Sequence, residues 1–195
     1  DSRRGCGIRS AGGVHVSGPL EGLRVIELCD ELGQLTGKLL GDMGADVIKV
    51  EPPAGSAARA VGPFVADIPG PNRSLNFWYH NTNKRSVVLD WTNNSEDRSR
   101  LLALVASADI VLEDRAPGAL ASEGIDLASS RTANHALITC SVTPFGQTGP
   151  WASFRVSDLV ALAIGGPMPM NGYSPGDPPG APPIHGNGDQ AYNTA

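Results

Sequence analysis

The chain has 195 residues, enough to bury a single core, with 41% hydrophobic residues, 18% charged residues and a formal net charge of −5. That balance describes a soluble globular protein and argues against broad electrostatic binding to nucleic acid or to an acidic membrane surface. No apolar run approaches the length of a membrane span, and residues 1–18 are too polar and glycine-rich for a signal peptide, so they read as a disordered lead-in.

The first structured stretch sets the pattern. Leu23–Leu28 and Ala45–Val50 read as short strands, the second rich in β-branched residues. Between them Leu32, Leu35, Leu39, Leu40 and Met43 recur at helical spacing, which predicts an amphipathic helix closed by Gly44. Strand, helix and strand in this order make a βαβ unit, so a parallel sheet is expected. Ligands of such sheets bind outside the carboxyl ends of the strands, which directs attention to Cys29–Gly33 and Glu51–Gly55.

Pro52 and Pro53 must leave the sheet, and residues 54–75 read as one long loop. Leu75–His80 is aromatic and fits a helical turn or an edge strand. Asn81–Ser86 reads as a lead-in to a strand over Val87–Asp90. A helix capped by Ser95 is expected through Ser107, then a strand over Asp109–Glu113. Pro117 suits the first turn of a helix ending near Gly124, and Asp126–Asn134 forms another. Ala136–Val142 is the last expected strand, and a helix near Ser157–Ile164 follows. Alternation of strands and helices makes the fold α/β, an open, mostly parallel sheet with flanking helices.

From Pro167 to Gly188, twelve of twenty-two residues are Pro or Gly, which excludes a regular element. A helix then begins near Asp189, and the chain reads as truncated within it. Cys6, Cys29 and Cys140 form no CxxC pair, and Cys29 and Cys140, at strand ends, are expected to be buried reduced thiols of a cytoplasmic protein. No metal site is expected, since His15, His80, His135 and His185 lack ligand spacing with cysteines or carboxylates. Gly33–Lys38 resembles a phosphate loop but has three residues between its glycines and Leu39 after the lysine, so it is not a Walker A motif. G-x-G-x-x-G and G-x-S-x-G motifs are absent as well.

Six segments in order resemble the family III CoA-transferases: LEGLRVIEL at Leu20–Leu28, LGDMGADVIKVEPP at Leu40–Pro53, NKRSVVLD at Asn83–Asp90, ADIVLEDRAPGAL at Ala108–Leu120, FGQTGP at Phe145–Pro150 and SDLVALAIGG at Ser157–Gly166. The resemblance implies a Rossmann-like CoA-binding domain over residues 19–166, followed by the Pro/Gly-rich loop and truncated helix at 167–195. Members of the family are about twice as long and form interlocked homodimers. It also implies the chemistry: coenzyme A passes from an acyl-CoA to a small carboxylic acid through an aspartyl intermediate, with no metal. In the family's pattern the nucleophile is the aspartate after the Pro/Gly loop, here Asp189. By its chemistry alone that residue could equally be a helix N-cap, or serve both purposes.

The resemblance further implies contacts with CoA from the loop after the first strand (Cys29, Asp30, Leu32, Gly33) and from Pro52, Leu89, Asp114, Arg115 and Arg155. Lys84 and Arg85 are either phosphate contacts or a solvated strand lead-in. The chain departs from the common pattern at two places. It has Gly33-Gln34-Leu35 where many members have Ala-Gly-Pro, and Glu113-Asp114-Arg115-Ala116 where many have Glu-Asn-Phe-Arg, so Asp114 adds negative charge near an expected phosphate region. Two alternatives follow: a non-catalytic or degenerate half of a fused protein, and an α-methylacyl-CoA racemase. The racemases place a His before the aspartate where this chain has Ser157-Asp158, and Ser157 is no base at neutral pH.

Overall fold

The computed structural model describes residues 18–165. Cys6, His15, His185, the Pro/Gly-rich stretch and Asp189 lie outside the described residues. The elements in chain order are β1 (Arg24–Leu28), α1 (Gln34–Asp42), β2 (Asp46–Glu51), two 3₁₀ turns (Ala57–Ala60 and Val65–Asp67), α2 (Leu75–His80), β3 (Lys84–Val88), α3 (Ser95–Ala106), β4 (Ile110–Glu113), α4 (Ala119–Ser122), α5 (Leu127–Ala133), β5 (Ile138–Ser141) and α6 (Asp158–Gly165). The strands form one sheet in the order β3-β2-β1-β4-β5, and every neighbouring pair is parallel. The order reverses between β1 and β4, the topological switch point of a doubly wound sheet. No helix among the described residues is long and apolar enough to cross a membrane.

The two faces of the sheet differ. One carries a continuous apolar core: Ile26, Leu28, Ile48, Val50 and Val111 from the strands meet Leu101 and Val105 of α3, Leu120 of α4, and Ile125. The other has a smaller apolar cluster of Val25, Cys29, Val47 and Leu112, with Leu40 of α1 against it. Beside that cluster lies a buried charged row. Lys49 Nζ is 2.9 Å from Glu27 Oε1, and Lys84 Nζ is 3.0 Å from the same oxygen. Glu27 Oε2 lies 2.7 Å from Lys84 Nζ, off the hydrogen-bond direction, so that contact is an ion pair only. All three side chains are 2% exposed or less.

That row explains why glycines, with only Leu40 of the leucine set beside the apolar cluster, face the sheet from α1. The residues of α1 turned to the sheet are Gln34, Gly37 and Gly41, whereas Leu39 is 52% exposed and Met43 40% exposed. A Cβ at Gly37 would lie 1.7 Å from Glu27 Oε2, so only glycine lets the helix sit over the carboxylate. The leucine spacing thus identified the helix but not its inward face. Its end is as expected: Gly44 has φ +99°, and the amides of Gly44 and Ala45 close on the carbonyls of Gly41 and Leu40, a Schellman turn.

Other boundaries shift for local reasons. β3 begins at Lys84 rather than Val87, because Lys84–Val88 pair with Val47–Glu51 along the whole of β2. Asn94, not Ser95, caps α3, its side chain accepting from the amides of Glu96 and Asp97. Pro117 precedes α4, with Gly118 at φ +79° as the helix entry. Asp126 caps α5 and Ser74 caps α2. Residues 54–75 are ordered by two arginines: Arg59 reaches the carbonyl of Pro71 and the side chain of Asn72, and Arg73 reaches the carbonyls of Val65 and Ile68. Cys29 is buried as expected, but Cys140 is exposed, because β5 is an edge strand whose side chains are left uncovered among the described residues.

Helix propensity alone would favour Gly37→Ala by about 1 kcal/mol. Since the new methyl group must displace Glu27 from Lys84, the variant is expected to lose about 3 kcal/mol or more in urea unfolding, against about 0.5 kcal/mol or less for the exposed Leu39→Ala.

Candidate active site at the sheet's switch point

β1 and β4 stay paired to their last residues, Leu28 and Glu113, and an open cleft of about 440 Å³ lies between the loops that follow them. Asp30, Glu31 and Leu32 form one wall, and Asp114, Arg115, Ala116 and Ala119 the other. Five of the sequence-derived candidates gather here: Asp30, Leu32, Asp114 and Arg115 in the lining, with Gly33 directly behind. Gly33 packs over Cys29, where an added Cβ would fall 2.2 Å from Sγ.

The β1–α1 loop is held by Asp114. Its Oδ2 accepts from the amides of Asp30 at 2.9 Å, Leu32 at 3.0 Å and Gly33 at 3.3 Å, and its Oδ1 shares the amide of Asp30. Burial raises the Asp114 carboxyl above its ordinary value; the charge of Asp30 acts in the same direction, and the three amides oppose it. Asp30 is in turn tied to the segment after β2, accepting from Ser56 Oγ at 2.7 Å and from the amide of Ala57 at 3.0 Å. Arg115 Nη2 binds Glu123 Oε1 at 2.8 Å, and Nη1 stands 3.8 Å from Asp30 Oδ2. Trp91 Nε1 donates to the other Glu123 oxygen at 2.8 Å, which fixes the carboxylate that orients Arg115.

Glu51, at the end of β2, is 2% exposed and carries a second buried pair. Arg59 grips it through Nε at 2.6 Å and Nη2 at 2.8 Å, Ser86 Oγ donates at 2.6 Å and the amide of Ser56 at 3.1 Å. Arg59 also stacks on Phe77, 3.9 Å from the ring centroid. Burial works to raise the Glu51 carboxyl, but Arg59, Ser86 and Ser56 outweigh it and hold it at about 2. The thiol of Cys29 moves the other way: burial, then the charges of Asp114 and Glu27, push it well above its ordinary value, so it is a protonated wall and no nucleophile.

The remaining candidates are elsewhere. Pro52 and Leu89 lie on the same edge of the sheet, after β2 and β3, but do not line the cleft. Leu89 is 5% exposed with its side chain in the apolar core. Lys84 and Arg85 open β3, at the opposite edge. Lys84 is no solvated lead-in: besides Glu27 it binds the carbonyl of Gln34 at 2.7 Å and Asn81 Oδ1 at 3.0 Å. Arg85 pairs with Asp46 on the surface. Arg155 is exposed in the segment before α6. Ser157 is the entry to α6, its hydroxyl facing the amide of Val160 at 3.5 Å. Sequence reasoning missed Ser56, Glu123 and Gln147, whose side chain reaches Glu113 Oε1 at 3.4 Å and so brings the FGQTGP loop to the end of β4. Only that motif was a signal; the other two are meaningful through partners remote in sequence. Among the described residues no group of His, Cys, Asp or Glu is placed to hold a metal ion.

Strand order and a cleft at the switch point define a doubly wound α/β domain of the kind that binds nucleotide-bearing ligands. The chain belongs to CoA-transferase family III, whose family model matches residues 20–188. Succinate–glutarate CoA-transferase of Agrobacterium fabrum is 46% identical over 165 residues, covering 82% of this chain and 41% of that protein. A subunit of succinyl-CoA:(R)-benzylsuccinate CoA-transferase of Thauera aromatica is 37% identical over 172 residues, covering 88% and 40%. The crystal structure of a CAIB/BAIF family protein from Brucella suis superposes with a TM-score of 0.73 at 39% identity, covering 83% of this chain and 42% of that one. The chain therefore spans about two fifths of the length of these two curated relatives.

Glu51 gives the fold a pH signature. Its folded-state carboxyl, at about 2, lies below the ordinary 4.5, so its contribution is complete above the ordinary value and is lost as pH falls through the folded one. Between pH 5 and 2 the wild type is expected to lose on the order of 3 kcal/mol from this group, while Glu51→Gln is less stable at neutral pH and flatter across that window. Parallel stability curves for the two proteins would assign the acid sensitivity elsewhere.

Proposed function

We propose that this chain is the CoA-binding part of an enzyme that transfers coenzyme A from an acyl-CoA thioester to a carboxylic acid. The observation that carries the reading is the coincidence of two findings. The family match runs through the cleft-forming segments, and the cleft lies at the switch point where a doubly wound sheet takes its ligand. The relatives named for succinate, glutarate and benzylsuccinate indicate dicarboxylic acids as the first substrates to try.

In this reading Asp189 attacks the thioester carbonyl, giving a mixed aspartyl–acyl anhydride and CoA thiolate. The thiolate then attacks the aspartyl carbonyl, releasing the donor acid and leaving an aspartyl-CoA thioester. The acceptor carboxylate attacks that thioester to form a second anhydride and free the thiolate. Attack of the thiolate on the new acyl carbon yields the product acyl-CoA and regenerates Asp189. No atom is gained or lost, and each step exchanges one activated acyl bond for another. Amides near Gly186 and Gly188 would stabilise the oxyanions. Arg115 is the cation at the cleft for the anionic part of CoA, and Cys29, Asp30, Leu32 and Gly33 form its wall. Pro52 and Arg155 are outer contacts, and the working unit is a homodimer.

The test is exchange between succinyl-CoA and glutarate by the full-length protein. Asp189→Ala is expected to lower kcat by about a thousandfold or more with an unchanged circular-dichroism spectrum. Mass spectrometry of protein quenched during turnover should place the acyl or CoA adduct on the peptide holding Asp189. An adduct elsewhere, or undiminished turnover of the variant, removes the residue from the mechanism. Deuterium wash-in at the α-carbon without CoA exchange would replace transfer by racemisation.

A further inference from the structure

The β1–α1 loop ends in a helix that cannot cap itself. Gly33 occupies the N-cap and has no side chain to offer, and the first turn of α1 holds no acidic residue. The loop that leads into it is held instead by Asp114, more than 80 residues later in the chain, which takes the amides of Asp30, Leu32 and Gly33 together. Converging backbone amides of a loop are a common seat for an anion, and here the chain's own carboxylate fills it. The loop therefore meets a ligand with its Asp30–Leu32 edge and not with its amides, and its shape depends on a residue of the facing wall.

We propose that Asp114 is a positioning residue for acyl-CoA: by holding these three amides it fixes the β1–α1 wall of the cleft and keeps a ligand's anionic groups off them. The proposal rests on the CoA-transferase reading for its ligand, but not for its structural half. Asp114 acts through the loop, so the chemistry of transfer is untouched by its removal and the loss falls on recognition of the CoA thioester. The carboxamide of an asparagine retains one oxygen able to accept where Oδ2 does. The property required is an acceptor at that position, not its charge.

The experiment pairs two variants of the full-length protein with two measurements. Hydrogen exchange reads the amides of Asp30, Leu32 and Gly33. Steady-state kinetics read KM for succinyl-CoA and for glutarate separately. Asp114→Ala is expected to speed exchange of the three amides by about tenfold or more and to raise KM for succinyl-CoA by a similar factor, with kcat and the glutarate KM within about threefold of wild type. Asp114→Asn should return both readouts to within about threefold of wild type. Unchanged exchange in Asp114→Ala would overturn the hold on the loop. Protected amides in Asp114→Asn combined with a KM as poor as that of Asp114→Ala would overturn positioning in favour of direct contact by the charge. A wild type that moved no CoA would sink the transferase reading alone, and the exchange rates would still uphold or reject the role of Asp114.

Discussion

The fold is organised by a carboxylate buried beneath a helix. Glu27 sits in β1, at the middle of the sheet, where Lys49 comes from β2 and Lys84 from β3. Unpaired, a charge at that depth would be prohibitive; here Oε1 accepts from both lysines and Oε2 faces Lys84 as an ion pair. The two ammonium groups also reach further. Lys49 also donates to the backbone oxygen of Cys29, at the root of the cleft loop, and Lys84 to the carbonyl of Gln34, in the first turn of α1. A cluster that contributes little net stability by itself thus fixes the relative placement of three strands and a helix. Specificity of arrangement, more than energy, is what a buried ion network supplies here, and the glycine face of α1 is the steric condition for it.

The next layer has the same logic at the carboxyl edge of the sheet. Glu51, Glu113 and Asp114 follow one another across the ends of β2 and β4, and each is met by groups of its own chain. Glu51 has Arg59, Ser86 and the amide of Ser56; Glu113 has the amide of Arg115 and the side chain of Gln147; Asp114 has three amides. Each pairing fastens a connecting segment: residues 54–75, the FGQTGP loop and the β1–α1 loop. The loops that shape the cleft are therefore set by acids at strand ends.

How much of this was legible in sequence depended on the range of the interaction. The strands, the helices and their order follow from short-range patterns, since β-branched runs, caps and the glycine after α1 act within a few residues. The inward face of α1 was not legible. Leu39 and Met43 have the right spacing for a core face, yet what lies opposite is Glu27, and only a contact between residues ten apart reveals that the helix must present Gly37. Lys84 looked like a solvated lead-in because lysine before a strand commonly is, whereas its partner is 57 residues away. Cys140 was misplaced for the converse reason. The alternation of an edge strand is the same as that of a covered one, and nothing in Ile138–Ser141 says which neighbour is missing.

Asp114 combines these cases. Read in isolation, an acid beside an expected phosphate region is a liability, because like charges repel and neither is screened at close range. Read with its three amides, it is the acceptor that the β1–α1 loop requires. The cation of the cleft gives its hydrogen bond to another carboxylate. Arg115 is held by Glu123 at 2.8 Å, while its separation from Asp30, 3.8 Å, is the loosest ion pair among the described residues, and Asp30 satisfies itself on Ser56 and Ala57. An anion entering from solvent therefore meets one guanidinium that is oriented but incompletely paired, against a wall whose own acids are already bound.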